Sequence, residues 1–242
     1  MTTGASPKGI ASEREAAAWV RDMFGRVAPR YDLLNHVLSL NIDRQWRART
    51  VKRLQPILER KDAVVLDLCC GTGDLMLALR AAARARVMGS DFCHPMLTAA
   101  MRKAGSGSPF FEADALQLPT RDASLDAITV AFGFRNLANY ESGLKELKRV
   151  LKPGGVVAIL EFSQPPNPFL NALYGFYSRN ILPRIGGLVS GASDAYTYLP
   201  ESVRRFPDAE GLAAKMKQAG YRDVSFERMT FGVVALHLGT SD

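Results

Sequence analysis

Cysteine and histidine are scarce in this sequence, with three of each among 242 residues. The cysteines are Cys69, Cys70 and Cys93, and two of them are adjacent. They provide neither a disulfide framework nor the spaced set of ligands that a structural zinc site needs. We therefore expect a reduced, cytoplasmic protein with no metal centre.

Long apolar runs are also missing. Nowhere do about 18 apolar residues follow one another, the length that a membrane-spanning helix needs, and Met1–Glu15 lacks the apolar core of a signal peptide. We therefore expect no membrane span. The net charge of +7 favours contact with an anionic surface, either nucleic acid or the inner face of a bilayer. Composition does not choose between these two, nor does it exclude a basic protein that binds neither.

The sequence does contain an apolar run that meets a glycine loop, Val64-Val65-Leu66-Asp67-Leu68-Cys69-Cys70-Gly71-Thr72-Gly73-Asp74. The run is typical of a parallel strand buried on both faces, and Gly71 and Gly73 allow a sharp turn and a close approach to a ligand. Helical periodicity follows from Leu75, with Asp74 placed to cap the first turn. Strand, loop and helix in this order predict the first unit of a nucleotide-binding α/β sheet.

The rest of the chain alternates between strand and helix patterns. Strands are predicted at 63–69, 86–91, 109–112, 125–132, 154–161, 222–229 and 232–238, and helices at 74–83, 94–103, 139–151 and 208–219. The last two strands are too close in sequence for a crossover and must form an antiparallel hairpin. The fold class is therefore α/β, a seven-stranded, mostly parallel, doubly wound sheet whose last strand is reversed.

The pattern favours a single domain of four parts: an N-terminal helical lid at 12–60, a ligand-binding core at 63–161, an insertion at 162–207 and a C-terminal helix and hairpin at 208–239. Residues 1–12 are small and polar, and we expect them to be frayed. The lid contains three short amphipathic helices, the last ended by Pro56.

The insertion contains an unusually apolar stretch. Residues 164–200 carry only three charges, at Arg179, Arg184 and Asp194, and a connection of this length is usually functional. Phe169, Leu173, Phe176 and Tyr177 recur at helical spacing. They can pack in the core, or they can form an amphipathic surface for a membrane interface.

Three features point to an adenosine ligand. Met76 stands where a dinucleotide fingerprint needs a third small residue, which argues against NAD or FAD. Asp91, at the end of the second strand, can accept both hydroxyls of a ribose, or it can cap the next helix. Asp114 ends the third strand, where it can bind an adenine amino group or simply form a turn.

Several motifs identify a family. Asp67–Asp74 resembles motif I of the S-adenosylmethionine methyltransferases, and Leu147–Gly155 is similar to the turn before their fifth strand. The remaining motifs resemble those of the quinone-biosynthesis C-methyltransferases of the ubiquinone and menaquinone pathways: Tyr31-Asp32-Leu33-Leu34-Asn35, Phe132-Gly133-Phe134-Arg135-Asn136, Leu160-Glu161-Phe162-Ser163, Tyr196-Thr197-Tyr198-Leu199-Pro200-Glu201-Ser202 and Ala235-Leu236-His237-Leu238-Gly239. The resemblance runs from about Met23 to Gly239 and implies the Rossmann-like class I methyltransferase fold.

The resemblance also implies methyl transfer from S-adenosyl-L-methionine to a polyprenylated quinol ring. Cofactor-binding roles are carried onto Asp67, Gly71, Thr72, Gly73, Asp91, Asp114, Ala115 and Ala131. Ala131 replaces a serine that ubiquinone-type members can have, which favours demethylmenaquinol over the corresponding benzoquinol. The Cys69-Cys70 pair and Asn41-Ile42-Asp43 depart from the family pattern.

Methylation of a ring carbon needs a deprotonated hydroxyl on the ring, held near the methyl group. We expect Arg135 to stabilise the phenolate, Asn136 to orient it and Tyr31 to line the site. Alternatively, Arg135 caps the following helix at the surface, and the other two are structural turn residues. Glu161 can face the ligand or cap the insertion, His237 is expected to be structural, and His36 and His94 are expected at the surface or in caps.

Two other functions remain open. A nucleic-acid methyltransferase would carry Asn/Asp-Pro-Pro-aromatic after the fourth strand, but Phe132-Gly133-Phe134-Arg135 stands there, and no dense basic run with aromatic residues is present. We therefore expect no nucleic-acid partner. A non-catalytic scaffold is the other alternative. We expect peripheral association with an anionic membrane at its inner face, and a homodimer stays open.

Overall fold

Seven strands form one sheet in the computed structural model, which describes residues 4–5, 7–10, 12–105, 107–177, 180 and 193–242, with backbone alone at 34, 37, 38 and 193–196. They are β1 (Val64–Leu68), β2 (Arg86–Asp91), β3 (Phe110–Glu112), β4 (Leu125–Ala131), β5 (Leu151–Phe162), β6 (Arg222–Met229) and β7 (Val234–Thr240). Their order is β3-β2-β1-β4-β5-β7-β6. Every pairing from β3 to β5 is parallel, and β7 is antiparallel to both of its neighbours. The predicted sheet is confirmed, with the reversed strand inserted between β5 and β6.

Helices flank the sheet. They are α1 (Glu13–Val27), α2 (Tyr31–Leu38), α3 (Asp43–Leu58), α4 (Asp74–Ala82), α5 (His94–Ala104), α6 (Tyr140–Val150), α7 (Pro168–Phe176), α8 (Ser193–Arg205) and α9 (Ala209–Gln218). Several begin where a polar side chain accepts a free backbone N–H. Ser12 accepts from the N–H of Glu15 at 3.2 Å, Asn139 from that of Ser142 at 2.9 Å and Asp208 from that of Gly211 at 2.8 Å.

Alternate residues of the central strands face opposite layers of core, because successive side chains of a strand point to opposite faces. Val65 and Ala127 pack with α3 and α4, through side chains such as Leu58 and Leu79. On the other face, the core contains residues of β1, β4, α6 and α9: Leu66, Ile128, Leu144, Leu147, Leu212 and Met216. Both faces are covered, which explains why the strands read as continuous apolar runs.

Packed structure begins nearer to the N-terminus than predicted. Ala5 is buried, and its N–H donates to the carbonyl of Leu137 at 2.7 Å. A Cβ on Gly4 would lie 2.3 Å from that same carbonyl oxygen. The expectation of a frayed segment is therefore wrong at these two residues, because small side chains let the backbone pack against the loop after β4. Residues 1–3, 6 and 11 lie outside the described part.

Three local predictions need correction. Pro56 does not end α3, because only one backbone donor is lost there and the fully buried Leu58 anchors the last turn. β5 begins at Leu151, before the predicted residue 154, and Lys152–Gly155 bulges out: Leu125 pairs with Leu151, but Ala127 already pairs with Val156. Asp74 is the first residue of α4, and its cap position is taken by Gly73, whose φ of 84° is left-handed.

Candidate active site

A crevice opens above β1, where the strand order reverses. β1 pairs with β2 on one side and β4 on the other, so the chain leaves these strands in opposite directions. Cys69 and Phe132, the residues that follow β1 and β4, both have left-handed φ, 53° and 57°. A Cβ on the neighbouring Gly133 would lie 2.4 Å from the Cβ of Cys69. Strained backbone of this kind concentrates at functional sites.

A cleft in this crevice collects most of the residues expected to bind the cofactor. Gly71, Asp91, Asp114, Ala115 and Ala131 all line it. The sequence did not point to several further lining residues from α1, α5 and the loops after β2 and β3: Phe24, Phe92, Met96, Ala113 and Leu116. Their only local signal is that Phe92 and Ala113 directly adjoin the two predicted aspartates.

Asp91 holds the glycine loop. Its Oδ2 accepts from the N–H of Gly71 at 2.8 Å, and its Oδ1 accepts from the N–H of Cys93 at 2.9 Å. Asp91 thus contacts the start of α5 through Cys93, the cap residue of that helix. It can still bind ribose hydroxyls, since each carboxylate oxygen keeps a second lone pair. Burial raises the pKa of Asp91 to about 6.

Asp114 likewise combines a turn with the cleft. Its Oδ1 accepts from the N–H of Leu116 at 2.9 Å, and its backbone bridges to Gln117. Asp114 is exposed and Ala115 is buried, and both line the cleft. An acid at the rim beside an apolar slot can bind the amino edge and the face of a purine.

A smaller polar pocket lies beside the glycine loop and contains Asp67 and Thr72. Asp67 is 1% exposed; its Oδ1 accepts from Thr129 at 2.6 Å, while Oδ2 has no hydrogen-bond partner among the described residues. Burial raises its pKa to about 7. The hydroxyl of Thr72 donates to Asp32 of α2. Gly73 stands behind the pocket as the cap of α4 and lines neither cavity.

These residues fit S-adenosyl-L-methionine. A Cβ on Gly71 would lie 3.7 Å from the ring of Tyr31. The glycine therefore keeps free the space between α2 and the loop after β1, which a larger side chain would fill. The Asp67 carboxyl in the polar pocket suits an ammonium group. Asp91 suits ribose hydroxyls, and the slot at Ala113–Leu116 suits an adenine ring.

Arg47 is a site residue that sequence reasoning missed. It lines the polar pocket and is ion-paired with Asp74 at 3.2 Å and with Asp43. Its only signal would have been an arginine on the buried face of α3. His36, expected at the surface or in a cap, stands in the last turn of α2, and its half-buried ring contacts Asp43 at 3.0 Å.

His36, Asp43 and Asp74 place one ligand atom each within 4.8 Å of the others, the one group in the described part of the chain that could hold a metal ion. Two cations already compensate its carboxylates. Arg47 pairs with both of them, and Lys103 lies 2.5 Å from Asp74. The cluster is therefore better described as an ion-pair network between the lid and the start of α4.

A larger cavity of about 510 Å³ adjoins the cofactor cleft. Tyr31 and Phe132 line the cleft, the polar pocket and this cavity, and so mark the point where the three meet. Its wall is mostly apolar and includes aromatic side chains from α3, β5, the α7 region and α8: Trp46, Phe162, Tyr174, Tyr177 and Tyr198. Of the insertion, residues 178–179 and 181–192 lie outside the described residues, with Arg179 and Arg184 among them.

Arg135 lies in the wall of the large cavity and is only 5% exposed. Its Nη1 donates to Oε1 of Glu161 at 2.8 Å and to the carbonyl of Phe132. The guanidinium also lies over the Phe162 ring, 5.3 Å from its centroid. Burial would lower the pKa of Arg135, but the Glu161 carboxylate outweighs it and the pKa is raised. Because Arg135 is buried, it is not a surface cap. Glu161 faces the site as well, where it is the ion-pair partner of Arg135.

Asn136 and Tyr31 are also partly or fully enclosed. Asn136 lines the cofactor cleft, and the Tyr198 hydroxyl donates to its Oδ1 at 3.1 Å. Burial raises the pKa of Tyr31. The structure thus brings all three expected catalytic residues to the junction of cleft and cavity.

Two histidines lie away from this junction. His237 is buried in β7, its Nε2 lies 2.8 Å from the carbonyl of Ala209, and burial lowers its pKa. These contacts agree with the structural role expected for His237. His94 is exposed at the start of α5 and contacts Glu112 at 3.0 Å.

No helix among the described residues is both long and apolar enough to cross a bilayer.

Comparisons with solved structures agree with the fold. An S-adenosylmethionine-dependent methyltransferase from Thermotoga maritima, a possible histamine N-methyltransferase, superposes with a TM-score of 0.66 at 18% identity, covering 92% of this chain and all of that one. A putative methyltransferase from Haloferax volcanii, in complex with the activator Trm112, gives a TM-score of 0.62 at 18% identity over 96% of this chain and 99% of that one.

Sequence relatives are much more similar. A demethylmenaquinone methyltransferase from Thermus thermophilus is 51% identical over 90% of this chain and 99% of its own length, and one from Deinococcus radiodurans is 45% identical over 95% of both. A ubiquinone/menaquinone biosynthesis C-methyltransferase UbiE from Syntrophotalea carbinolica is 45% identical over 90% of this chain and 92% of its own. The family described as ubiE/COQ5 methyltransferase matches residues 10–241. With the cleft, the cavity and these relatives in view, the chain belongs to the ubiE/COQ5 methyltransferase family.

Proposed function

We propose that this protein methylates a ring carbon of a polyprenylated quinol, with demethylmenaquinol as the substrate. S-adenosyl-L-methionine is the methyl donor. The observation that carries the proposal is the junction at Tyr31 and Phe132, where the cleft that fits the donor meets a large, mostly apolar cavity. A cavity of this size accepts a bicyclic ring, and relatives at 45–51% identity carry the name demethylmenaquinone methyltransferase.

The bound cofactor would supply an electrophilic methyl group at the junction. Gly71, Asp91, Asp114 and Ala115 would hold its adenosine part, with Asp67 and Thr72 beside its amino-acid part. Arg135 would bind the substrate oxygen as its hydroxyl loses a proton, since a buried guanidinium stabilises a developing phenolate. Asn136, held by the Tyr198 hydroxyl, would orient that oxygen, and Tyr31 would close the site from the lid.

The proton of the quinol must leave by another group. A guanidinium with a pKa above about 12 is a poor base, and the pKa of Arg135 is raised further by Glu161. Tyr31 lines both the cleft and the cavity, so it or a water molecule beside it can pass the proton to solvent. Enclosure of the reacting atoms also excludes water from the methyl group.

The related benzoquinol is the second candidate, because a relative named for both ubiquinone and menaquinone biosynthesis is 45% identical to this chain. The deciding experiment incubates the protein with methyl-labelled S-adenosyl-L-methionine and either demethylated naphthoquinol or benzoquinol. Label in the naphthoquinol supports the proposal, and label only in the benzoquinol overturns the substrate assignment. Cofactor binding without label in either quinol would favour the scaffold alternative.

We further propose that the protein works at the inner, cytoplasmic face of a membrane. Exposed apolar side chains surround the large cavity. Leu40, which lines it, is 80% exposed, and Phe231, next to the lining residue Thr230, is 79% exposed. Tyr174 of α7 and Tyr177, the residue that follows the helix, line the cavity. Phe169, Leu173 and Phe176 form an exposed stripe on α7. Core packing, the alternative for these residues, therefore holds for none of the three.

A lipid bilayer is the partner that this apolar rim suits. An isoprenoid tail that leaves the cavity would lie against such apolar side chains, and the net charge of +7 favours anionic lipid. The absence of a nucleic-acid partner stays a prediction from the sequence, and so does the homodimer.

A further inference from the structure

The ion pair between Arg135 and Glu161 is the most enclosed one beside the large cavity. Glu161 is 1% exposed and Arg135 is 5% exposed. Both carboxylate oxygens are engaged: Oε1 accepts from Nη1 of Arg135 at 2.8 Å and from the N–H of Phe162 at 2.8 Å, and Oε2 accepts from the N–H of Arg135 at 3.2 Å. Glu161 thus holds both the backbone and the guanidinium of one residue.

These contacts engage only one of the three guanidinium nitrogens of Arg135. The hydrogen bonds of the guanidinium within the described part of the chain all leave from Nη1, to Glu161 and to the carbonyl of Phe132. Nε is buried with no partner among the described residues, and Arg135 lines the cavity. A buried donor without a partner costs free energy unless a ligand satisfies it. Nη2 has no hydrogen-bond partner among the described residues and is not fully buried as Nε is, so Nη2 is the donor left for an anionic oxygen in the cavity.

Among the described residues, Glu161 is the carboxylate that pairs with the guanidinium of Arg135. The other titratable groups that interact with the pair come from α2, α6, α7, α8 and the loop after β1: Tyr31, Tyr140, Tyr174, Tyr198 and Cys69. Burial raises the pKa of each of them, to about 12 for Tyr174 and Tyr198. They stay neutral at ordinary pH. Burial also raises the pKa of Glu161, but the Arg135 guanidinium and two backbone N–H donors oppose this effect and favour the ionised carboxylate, which offsets the charge of Arg135.

We propose that Glu161 is a positioning residue for methyl transfer: it fixes Nη1 of Arg135, leaves Nη2 for the substrate oxygen and moderates the charge that this oxygen meets. The inference rests on the proposed function for the identity of the oxygen, a quinol hydroxyl that ionises. A phenolate held too tightly by an unbalanced cation would be a weaker carbon nucleophile. Glu161 therefore sets both the direction and the strength of the contact.

Ionisation of a bound naphthol tests the charge balance directly. The protein is saturated with S-adenosylhomocysteine, 1-naphthol is added, and the absorbance of bound naphtholate is followed against pH. We expect Glu161→Gln to lower the midpoint by about one pH unit or more, a tenfold change in the acid constant, because the unbalanced guanidinium favours the anion. Glu141→Gln, which removes an exposed carboxylate on α6 paired with Lys215 at 3.5 Å, is the matched control and should leave the midpoint unchanged.

Turnover tests the positioning. Glu161→Asp keeps the charge but is shorter by one methylene, so the midpoint should stay near that of the wild type while kcat falls on the order of tenfold to a hundredfold, with the KM for the cofactor unchanged. This variant also keeps the proposal testable if Glu161→Gln does not fold. A merely structural role would lower the melting temperature of both variants and leave the midpoint and kcat of the folded protein as in the wild type.

The inference is overturned if folded Glu161→Gln shows a wild-type midpoint, if Glu161→Asp keeps full kcat, or if the wild-type complex does not bind 1-naphthol. Failure of the proposed function looks different. In that case no quinol is methylated, but the naphtholate midpoint still shifts in Glu161→Gln.

Discussion

Arg135 is a donor that the site holds in place before any ligand arrives. Its substitution by Gln should lower kcat by about 10² to 10³-fold, the usual effect of removing one donor from an anion-stabilising site. The Kd for S-adenosylhomocysteine should change little, because Arg135 lines the large cavity and not the cofactor cleft. Single-turnover rates and calorimetric titration measure the two quantities.

Arg135→Ala removes the side chain altogether and should abolish turnover, with a further loss of about 3–5 kcal/mol in stability because Glu161 is left buried and unpaired. Arg135→Lys keeps the charge without the planar fork and serves as the comparison. Undiminished turnover in the Gln and Ala variants would rule out the assigned role.

The raised pKa of Asp91 leads to a prediction of how cofactor affinity depends on pH. Burial raises its pKa in the folded protein to about 6 from an ordinary 3.8, so the native state binds a proton more readily than the unfolded chain does. Protonation of Asp91 therefore stabilises the folded state at low pH, fully below about 3.8, and this contribution to the free energy of unfolding is lost as pH rises through about 6. Ribose hydroxyls donate to the ionised form, so affinity should run the other way and fall as pH drops through about 6.

Calorimetric Kd values for S-adenosylhomocysteine across about pH 5 to 8 would show this dependence. Asp91→Asn should bind more weakly and lose the step near 6. Asp67→Asn is the companion variant, because burial raises the pKa of Asp67 to about 7 and its titration must be separated from that of Asp91. A wild-type Kd that is flat over this range would contradict the assignment of Asp91.

At the scale of elements, α2 is fastened to the cofactor loop by a small network. Asp32 of α2 accepts from the hydroxyl of Thr72 and pairs with Lys103 of α5 at 2.6 Å, and Lys103 also pairs with Asp74 at 2.5 Å. Since α2 also carries Tyr31, the same contacts hold the lid over the junction. We therefore expect these contacts to slow the exchange of the cofactor.

Lys103→Met should therefore speed release of S-adenosylhomocysteine several-fold, as measured by stopped-flow displacement. Its effect on stability should be less than about 1 kcal/mol, because these partly exposed pairs are screened by solvent. Lys145→Met removes an exposed lysine of α6 and is the matched control. Equal release rates in the two variants would exclude the network as a fastening of the lid.

The elements also show where sequence patterns stop being informative. Periodicity places β1, β2 and β4 to within about a residue, since buried parallel strands carry an unbroken apolar signal. It cannot show that Ala5 packs against Leu137 or that the stripe on α7 faces outward. Both depend on contacts between residues that are distant in sequence.

At the scale of the whole molecule, the apolar rim and the net charge lead to one prediction. The protein should sediment with anionic phosphatidylglycerol vesicles at low salt and less so at about 0.5 M salt, because charges are screened over a few ångströms there. Phe169→Ser with Phe231→Ser should weaken binding at both salt concentrations, since each buried apolar side chain contributes about 1.5–3 kcal/mol. Met101→Ser, which changes an exposed methionine of α5, is the control.

Binding to neutral phosphatidylcholine vesicles should be weaker than to anionic ones. If anionic vesicles do not retain the wild-type protein at low salt, the rim has another partner and the basic charge needs another explanation. Loss of binding in the Met101 control would equally count against a localised rim.

The family motifs locate the site well, yet they do not describe it completely. Gly71, Asp91, Asp114 and Arg135 follow strands, and strand ends meet at one edge of the sheet, so their neighbourhood can be predicted. Arg47 and Glu161 come from α3 and from the end of β5, and their importance depends on a charge partner that the linear sequence does not identify. Pairing across the fold is what the sequence pattern cannot express.

The position of β7 has a consequence for synthesis. β7 lies between β5 and β6 and is the strand to which β6 is paired, yet it follows both along the chain. As the chain leaves the ribosome, the apolar edge of β5 must therefore wait unpaired while α7, α8, α9 and β6 emerge. During that interval an open strand edge is available to other chains, so the nascent protein should depend on chaperones, and slow translation before β7 should increase its aggregation.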